Sequence, residues 1–125
     1  MDLSRLRQEF SEASRLYQKQ LRVIMSHKGM MSGSVYLLRR KCGKGGCRCQ
    51  RGELHESWVH QYREDGIQRT RMVPKGMRSR WRTLADEYRR FRLARREMAR
   101  LSARMLELAD LIGRARDARD DIVKG

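Results

Sequence analysis

Three cysteines and a histidine fall within fourteen residues as Cys42-x4-Cys47-x-Cys49-x5-His55, and the chain has no other cysteine. Three thiolates and an imidazole make a complete tetrahedral set for a structural zinc ion (Zn2+), whose protein sites are usually closed in this way. The intervening "GKGG" (43 to 46) carries no bulky side chain that would stop the backbone curling round an ion. Lys44, Arg48 and Arg51 would offset the negative charge of a Cys3His centre, and nearby cations favour the thiolate form that a metal requires. His60 is an alternative fourth ligand, though its place in an alternating strand makes it the poorer one. An iron–sulfur centre normally wants four cysteines. A cysteine nucleophile with His55 as base needs one thiol held in a fixed geometry, which a glycine-flanked loop does poorly. Unliganded cysteines in a glycine-rich loop are the plain alternative.

Other catalytic patterns are missing from the sequence. It has no phosphate-binding glycine motif, no Ser/His/Asp pattern and no paired carboxylates at a plausible site. Glu53, His55 and Glu56 are neighbours in sequence and nothing more. The expectation is a protein that is not an enzyme.

Charge points to a partner. The chain has 30 Lys and Arg against 15 Asp and Glu, a net +15. Two thirds of that excess, +10, lies in residues 28–82, which hold the cysteines. A surplus of this size suits a polyanion, and nucleic acid is the commonest one inside a cell, with an anionic membrane the weaker alternative. Arg39, Arg40, Lys41, Lys44, Arg48 and Arg51 would meet phosphates around the loop. Arg69, Arg71, Lys75, Arg78, Arg80 and Arg82 would extend the track. Residues 89–104 hold seven arginines against Glu97 alone, so that Arg89, Arg92 and Arg96 can follow a duplex backbone along a helix.

These groups need elements to carry them. At 125 residues, 39% hydrophobic and 36% charged with one proline, the chain suits amphipathic helices better than a compact barrel. Residues 2–27 predict a helix with Asp2 or Ser4 as cap, apolar positions recurring at three and four, and Gly29 as a left-handed stop. "SVYLLRR" (34 to 40), "SWVHQYR" (57 to 63) and "IQRTRMV" (67 to 73) predict strands, the last two joined across the turn signal "EDG". In the second, Trp58, His60 and Tyr62 share one face. That face suits packing against a helix better than stacking on exposed bases, because so small a sheet needs cover. From about Ser79 onward one helical stripe runs through Trp81, Leu84, Tyr88, Phe91, Met98, Leu101, Met105, Leu108 and Ile112, interrupted by Arg95. A helix of that length calls for a partner, either the first helix or a second chain.

The run "RRKCGKGGCRCQRGELH", then an aromatic strand, a glycine turn, a strand ending "VPKG" and a long helix, resembles a family of small, basic bacterial and archaeal proteins of unknown function. The resemblance spans about residues 33–110 and rests on Cys42, Gly43, Lys44, Cys47, Cys49, Gly52 and His55, a zinc-knuckle-like C-G-K-x-x-C-x-C pattern followed by glycine and histidine. After His55 the family tends to continue Gly-Pro-aromatic, whereas this chain reads Glu56, Ser57, Trp58. The resemblance implies a sheet-plus-helices layout and company with mobile genetic elements.

The sequence therefore predicts an α+β fold: two helices, the C-terminal one long and coiled-coil-like, flanking a small antiparallel sheet with a zinc-stapled loop. Its segments are an N-terminal helix (1–28), a β module with the Cys/His loop (33–76) and the long helix (77–125), in one structural domain. The expected function is nucleic-acid binding, DNA before RNA, as an accessory factor of a recombination or transposition machine. Dimerisation through the helices is expected. The alternative is a helical adaptor docking on a protein or ribonucleoprotein partner. No run approaches a membrane span and no signal-peptide core is seen, so the expected place is the cytoplasm, with the nucleoid.

Overall fold

The computed structural model describes residues 2–41, 43, 45–47, 52 and 54–124. In chain order come helix α1 (Leu3–Ile24), strands β1 (Ser34–Arg40), β2 (His55–Glu64) and β3 (Ile67–Met72), helix α2 (Arg78–Arg116) and a short helix α3 (Arg119–Lys124). The fold is α+β, with two substantial helices, the second of them long, and a three-stranded antiparallel sheet. No described helix is long and apolar enough to cross a membrane. The chain divides into two compact units, one of Met1–Ser26 with Phe91–Gly125, the other of His27–Arg90.

In the first unit, α1 opens on Asp2, whose carboxylate accepts a 2.8 Å hydrogen bond from the Arg5 backbone N–H, one of the donors a helix start leaves over. The helix ends at Ile24 with Met25 as its cap. Gly29 is therefore not the helix stop, a correction to the sequence reading: the chain leaves the helix before reaching it. The buried positions recur at seven. Leu6 and Ala13 are one pair, and Ala94, Leu101 and Leu108 form the matching series on α2. A seven-residue interval is that of a coiled-coil seam. Arg95 does not interrupt this seam, because Ala94 occupies it and Arg95 stays exposed. A 3.0 Å ion pair between Arg104 and Glu9 ties α2 to α1. The helical pattern was expected to run on to the end of the chain. It breaks after Arg116, where the Asp117 side chain accepts from the Arg119 N–H at 3.0 Å and starts α3.

In the second unit the strand order is β1-β2-β3. Val59 on β2 lies opposite Tyr36 on β1 and Met72 on β3. The β2–β3 loop is Asp65–Gly66, both with positive φ (53° and 79°). A two-residue hairpin turn of the primed kind needs that geometry, and Asp-Gly supplies it at low cost. Val73 extends the pairing by one bond, its N–H donating to the Trp58 carbonyl at 2.9 Å.

The start of α2 covers one face of this sheet. Trp58, His60 and Tyr62 all belong to that face, as their alternation predicts, and Trp81 of α2 meets His60 edge-on at 5.8 Å between centroids. Gly33 is where β1 enters. Its φ is +100°, and a Cβ there would lie 2.2 Å from the Gln61 carbonyl oxygen, so no other residue fits.

Candidate metal loop and basic surface

Of the four expected ligands, Cys47 and His55 are described and are brought together: Cys47 Sγ lies 3.1 Å from His55 Nε2. Cys42 and Cys49 lie outside the described residues, as do Lys44, Arg48 and Arg51. β2 begins at His55, so the strand fixes where the imidazole stands, and β1 ends at Arg40, so the same sheet fixes where the loop leaves. Arg40 and His55 are cross-strand partners, which sets the mouth of the loop. With Zn–S near 2.3 Å and Zn–N near 2.1 Å, a tetrahedral centre separates sulfur and nitrogen by about 3.6 Å. The observed pair is within about 0.5 Å of that edge, and thiolate with imidazole is a donor set that suits zinc.

His60 is differently employed. It is 2% exposed, and its Nε2 lies 2.7 Å from the Ser32 carbonyl oxygen. Its Nδ1 accepts from Arg71 Nε at 3.0 Å. An arginine can only donate, so Nδ1 carries no proton and Nε2–H donates to Ser32. Both ring nitrogens are thus engaged within the fold. The ring stacks on Tyr62 at 4.8 Å, and the Arg71 guanidinium lies 5.1 Å from the Tyr62 centroid and 4.6 Å from that of Trp81. This cluster pins the segment before β1, the middle of the sheet and the start of α2 to one another.

Sequence reasoning gave Arg71 a phosphate to hold and missed this role. The signal was there in part, since alternation puts His60, Tyr62 and Trp58 on one face. The cross-strand register that sets Arg71 opposite His60 is what the sequence did not declare.

A second aromatic holds two more of the expected arginines. Arg78 and Arg82, one turn apart on α2, lie 4.9 and 5.3 Å from the Trp58 ring centroid. A guanidinium stacked by its face keeps its N–H edge for other acceptors. Both arginines are exposed. Beside them is a pocket of about 520 Å³ with Lys75 and Arg78 in its wall and Glu56 opposing their charge.

Elsewhere the track is partly neutralised by its own protein. Arg39 pairs with Glu56 at 3.2 Å and Arg69 with Glu64 at 3.8 Å. Arg40, Lys41, Arg80, Arg89, Arg92 and Arg96 are exposed. Arg89 belongs to the second unit and Arg92 and Arg96 to the first. Within the arginine-rich stretch Glu97 takes a side-chain hydrogen bond from Arg100, which holds its carboxyl below the usual range and the Arg100 guanidinium above its own. Glu12 and Arg15 on α1 do the same.

Fold and site together define a small basic α+β protein in which a three-stranded sheet carries a Cys/His loop at one end and arginine–aromatic stacks on one face. The chain belongs to the family described as "Domain of unknown function (DUF6788)", whose model matches residues 3–79. That match takes in α1, the whole sheet and the first residues of α2, so it reaches further towards the N-terminus than the motif resemblance and stops short of most of the long helix. No curated protein and no solved structure matches the chain.

Proposed function

We propose that this protein is a non-enzymatic nucleic-acid-binding protein, DNA before RNA, whose Cys42, Cys47, Cys49 and His55 hold a structural zinc ion. The observation that supports binding best is the pair Arg78 and Arg82 stacked on Trp58. Two long side chains are pre-positioned by an aromatic ring, so less conformational freedom is lost when a phosphate takes their N–H groups. The approach of Cys47 to His55 supports the zinc. The ion would close the loop on the sheet end and let a unit with few buried apolar residues keep one conformation. Service to a recombination or transposition machine is part of the same reading and rests on the motif resemblance alone. The cytoplasmic, nucleoid-associated place and a dimer through the helices belong to the same reading and rest on charge and on the length of the apolar stripe.

A second reading, an adaptor docking through its helices on a protein or ribonucleoprotein, is favoured by Leu106 and Leu93, exposed at 67% and 49% on α2. A cavity of about 290 Å³ between Phe10, Tyr17, Met105 and Leu106 offers an apolar foothold beside them.

The deciding experiment measures affinity for duplex DNA, single-stranded DNA and RNA over a salt series, with and without a zinc chelator. The expected result is a slope of log K against log salt of about −4 or steeper on duplex DNA, with binding weakened by chelation. Weak, salt-insensitive binding to all three would remove the nucleic-acid reading in favour of the adaptor. Binding indifferent to chelation, with no zinc in the purified protein by atomic absorption, would remove the metal.

A further inference from the structure

Both sheet carboxylates lie on one face. The contacts of His60, Arg71 and Trp58 with α2 identify the covered face as that of the even-numbered residues of β2. Glu56 and Glu64 have the same parity and lie on that side, while Asp65 sits in the turn. The opposite face takes the odd-numbered residues of β2 and the cross-strand partners of each. From β1 these are Ser34, Tyr36, Leu38 and Arg40; from β3 they are Gln68, Thr70 and Met72. None of them is acidic. Ser34, Arg40, Arg63, Gln68 and Thr70 are exposed, and Met72 is 61% exposed. Val59 is buried between its partners Tyr36 and Met72, which leaves an apolar centre ringed by amide and hydroxyl groups.

We propose that this acid-free face, centred on Tyr36, Gln61 and Thr70, enters the major groove of duplex DNA and contacts base edges there. The inference rests on the nucleic-acid reading above but names a second surface: Arg78 and Arg82 stack on Trp58 of the covered face and would hold phosphate separately from it. Three strands about 4.8 Å apart place their axes about 10 Å across, so the central strand with one neighbour makes the two-stranded ribbon that a groove about 12 Å wide admits. Glutamine amides and serine or threonine hydroxyls are the neutral groups that pair with base edges, and apolar side chains meet the thymine methyl. Arg40 stands at the loop end of the face and Arg63 at the hairpin end, where the phosphate ridges bordering the groove would pass. Charge favours a polyanion: this face has two arginines and no carboxylate, whereas Arg39, Arg69 and Arg71 of the covered face are engaged there by Glu56, Glu64 and His60. A single-stranded partner is disfavoured, because stacking platforms offer successive aromatic rings and on this face Tyr36 and the proposed zinc ligand His55, four β2 positions from Tyr36's partner Val59, are the rings. The deep, narrow major groove of duplex RNA does not admit side chains.

The test uses the full-length protein and two random-sequence DNA duplexes of equal length. One is unmodified; in the other each cytosine carries a glucosylated 5-hydroxymethyl group, which fills the major groove and leaves the phosphates alone. Wild type should lose about tenfold in affinity on the filled duplex, the scale of one or two lost base contacts. Thr70→Glu, on an exposed edge strand, should lose about tenfold on the unmodified duplex and become indifferent to the modification. Ser11→Glu on α1 makes the same charge change elsewhere and should stay within about twofold, with circular dichroism confirming that both variants fold. Equal wild-type affinity for the two duplexes, or Thr70→Glu no weaker than Ser11→Glu, would overturn the groove and leave phosphate binding standing. Tight binding to single-stranded RNA that Thr70→Glu and Tyr36→Ala abolish would reassign the face to RNA. No binding to any nucleic acid would take the proposed function down as well.

Discussion

Replacing His60 by Phe isolates what the buried imidazole's hydrogen bonds contribute. Phe keeps a ring of similar volume in the stack on Tyr62 and against the edge of Trp81, so the packing terms largely cancel. Lost are the 2.7 Å bond to the Ser32 carbonyl and the 3.0 Å bond from Arg71. Arg71 is exposed and can turn to water, so its share is small. The Ser32 carbonyl loses its ring donor, and because Ser32 is itself exposed, water replaces part of that bond and the net cost is about 1 kcal/mol. We expect a loss of about 1 kcal/mol, which at an m-value of about 1–2 kcal/mol/M lowers the urea midpoint by about 0.5–1 M. Fluorescence is the assay, since both tryptophans of the chain, Trp58 and Trp81, lie in the second unit. His60→Ala should fall further, by about another 2 kcal/mol for the cavity. A midpoint for His60→Phe indistinguishable from wild type, with His60→Ala strongly shifted, would refute the hydrogen-bond argument and leave only packing.

Gly33→Ala should unfold the sheet unit or cost it more than about 3 kcal/mol, read by the same fluorescence, because its Cβ would stand 2.2 Å from the Gln61 carbonyl oxygen. Trp58→Ala should weaken duplex-DNA binding by about three- to tenfold, as Arg78 and Arg82 lose the ring that holds them; affinity unchanged at equal protein stability would detach the stack from binding. Leu108→Ala, at a fully buried position, should cost the helical unit about 2–5 kcal/mol, measured by circular dichroism at 222 nm in urea. Glu12 and Glu97 have carboxyls depressed by their arginine partners, so what they add to stability is present above the ordinary carboxylate range and fades as pH falls through their lowered values. Thermal melts of Glu97→Gln should therefore lie slightly below wild type at neutral pH and converge with it in acid.

Much of this was written locally. Alternation in residues 57–63 placed Trp58, His60 and Tyr62 on one face, and Asp65–Gly66 announced a tight hairpin, because a side-chain period of two and a left-handed turn depend on neighbours alone. The helices were legible for the same reason: apolar residues at three and four mark a stripe whatever it packs on. Where local signals were equal, reading failed. Gly29 and Gly33 both follow the first helix, and only the sheet's close approach shows that the second is the one that must be glycine. Arg95 reads as a break in the stripe because Ala94, too small to register as apolar weight, fills the seam that Leu101 and Leu108 continue. Arginines read alike as charge. Cross-strand register and the path of α2 sort them into Arg71 on His60, Arg39 and Arg69 on their glutamates, and Arg78 and Arg82 on Trp58. The sequence by itself determined the elements and the reservoir of positive charge. Which charges are used inside the protein, and which face of the sheet is free of acids, was decided by pairing between residues far apart in the chain, since parity on a strand means nothing until its neighbour's register is set.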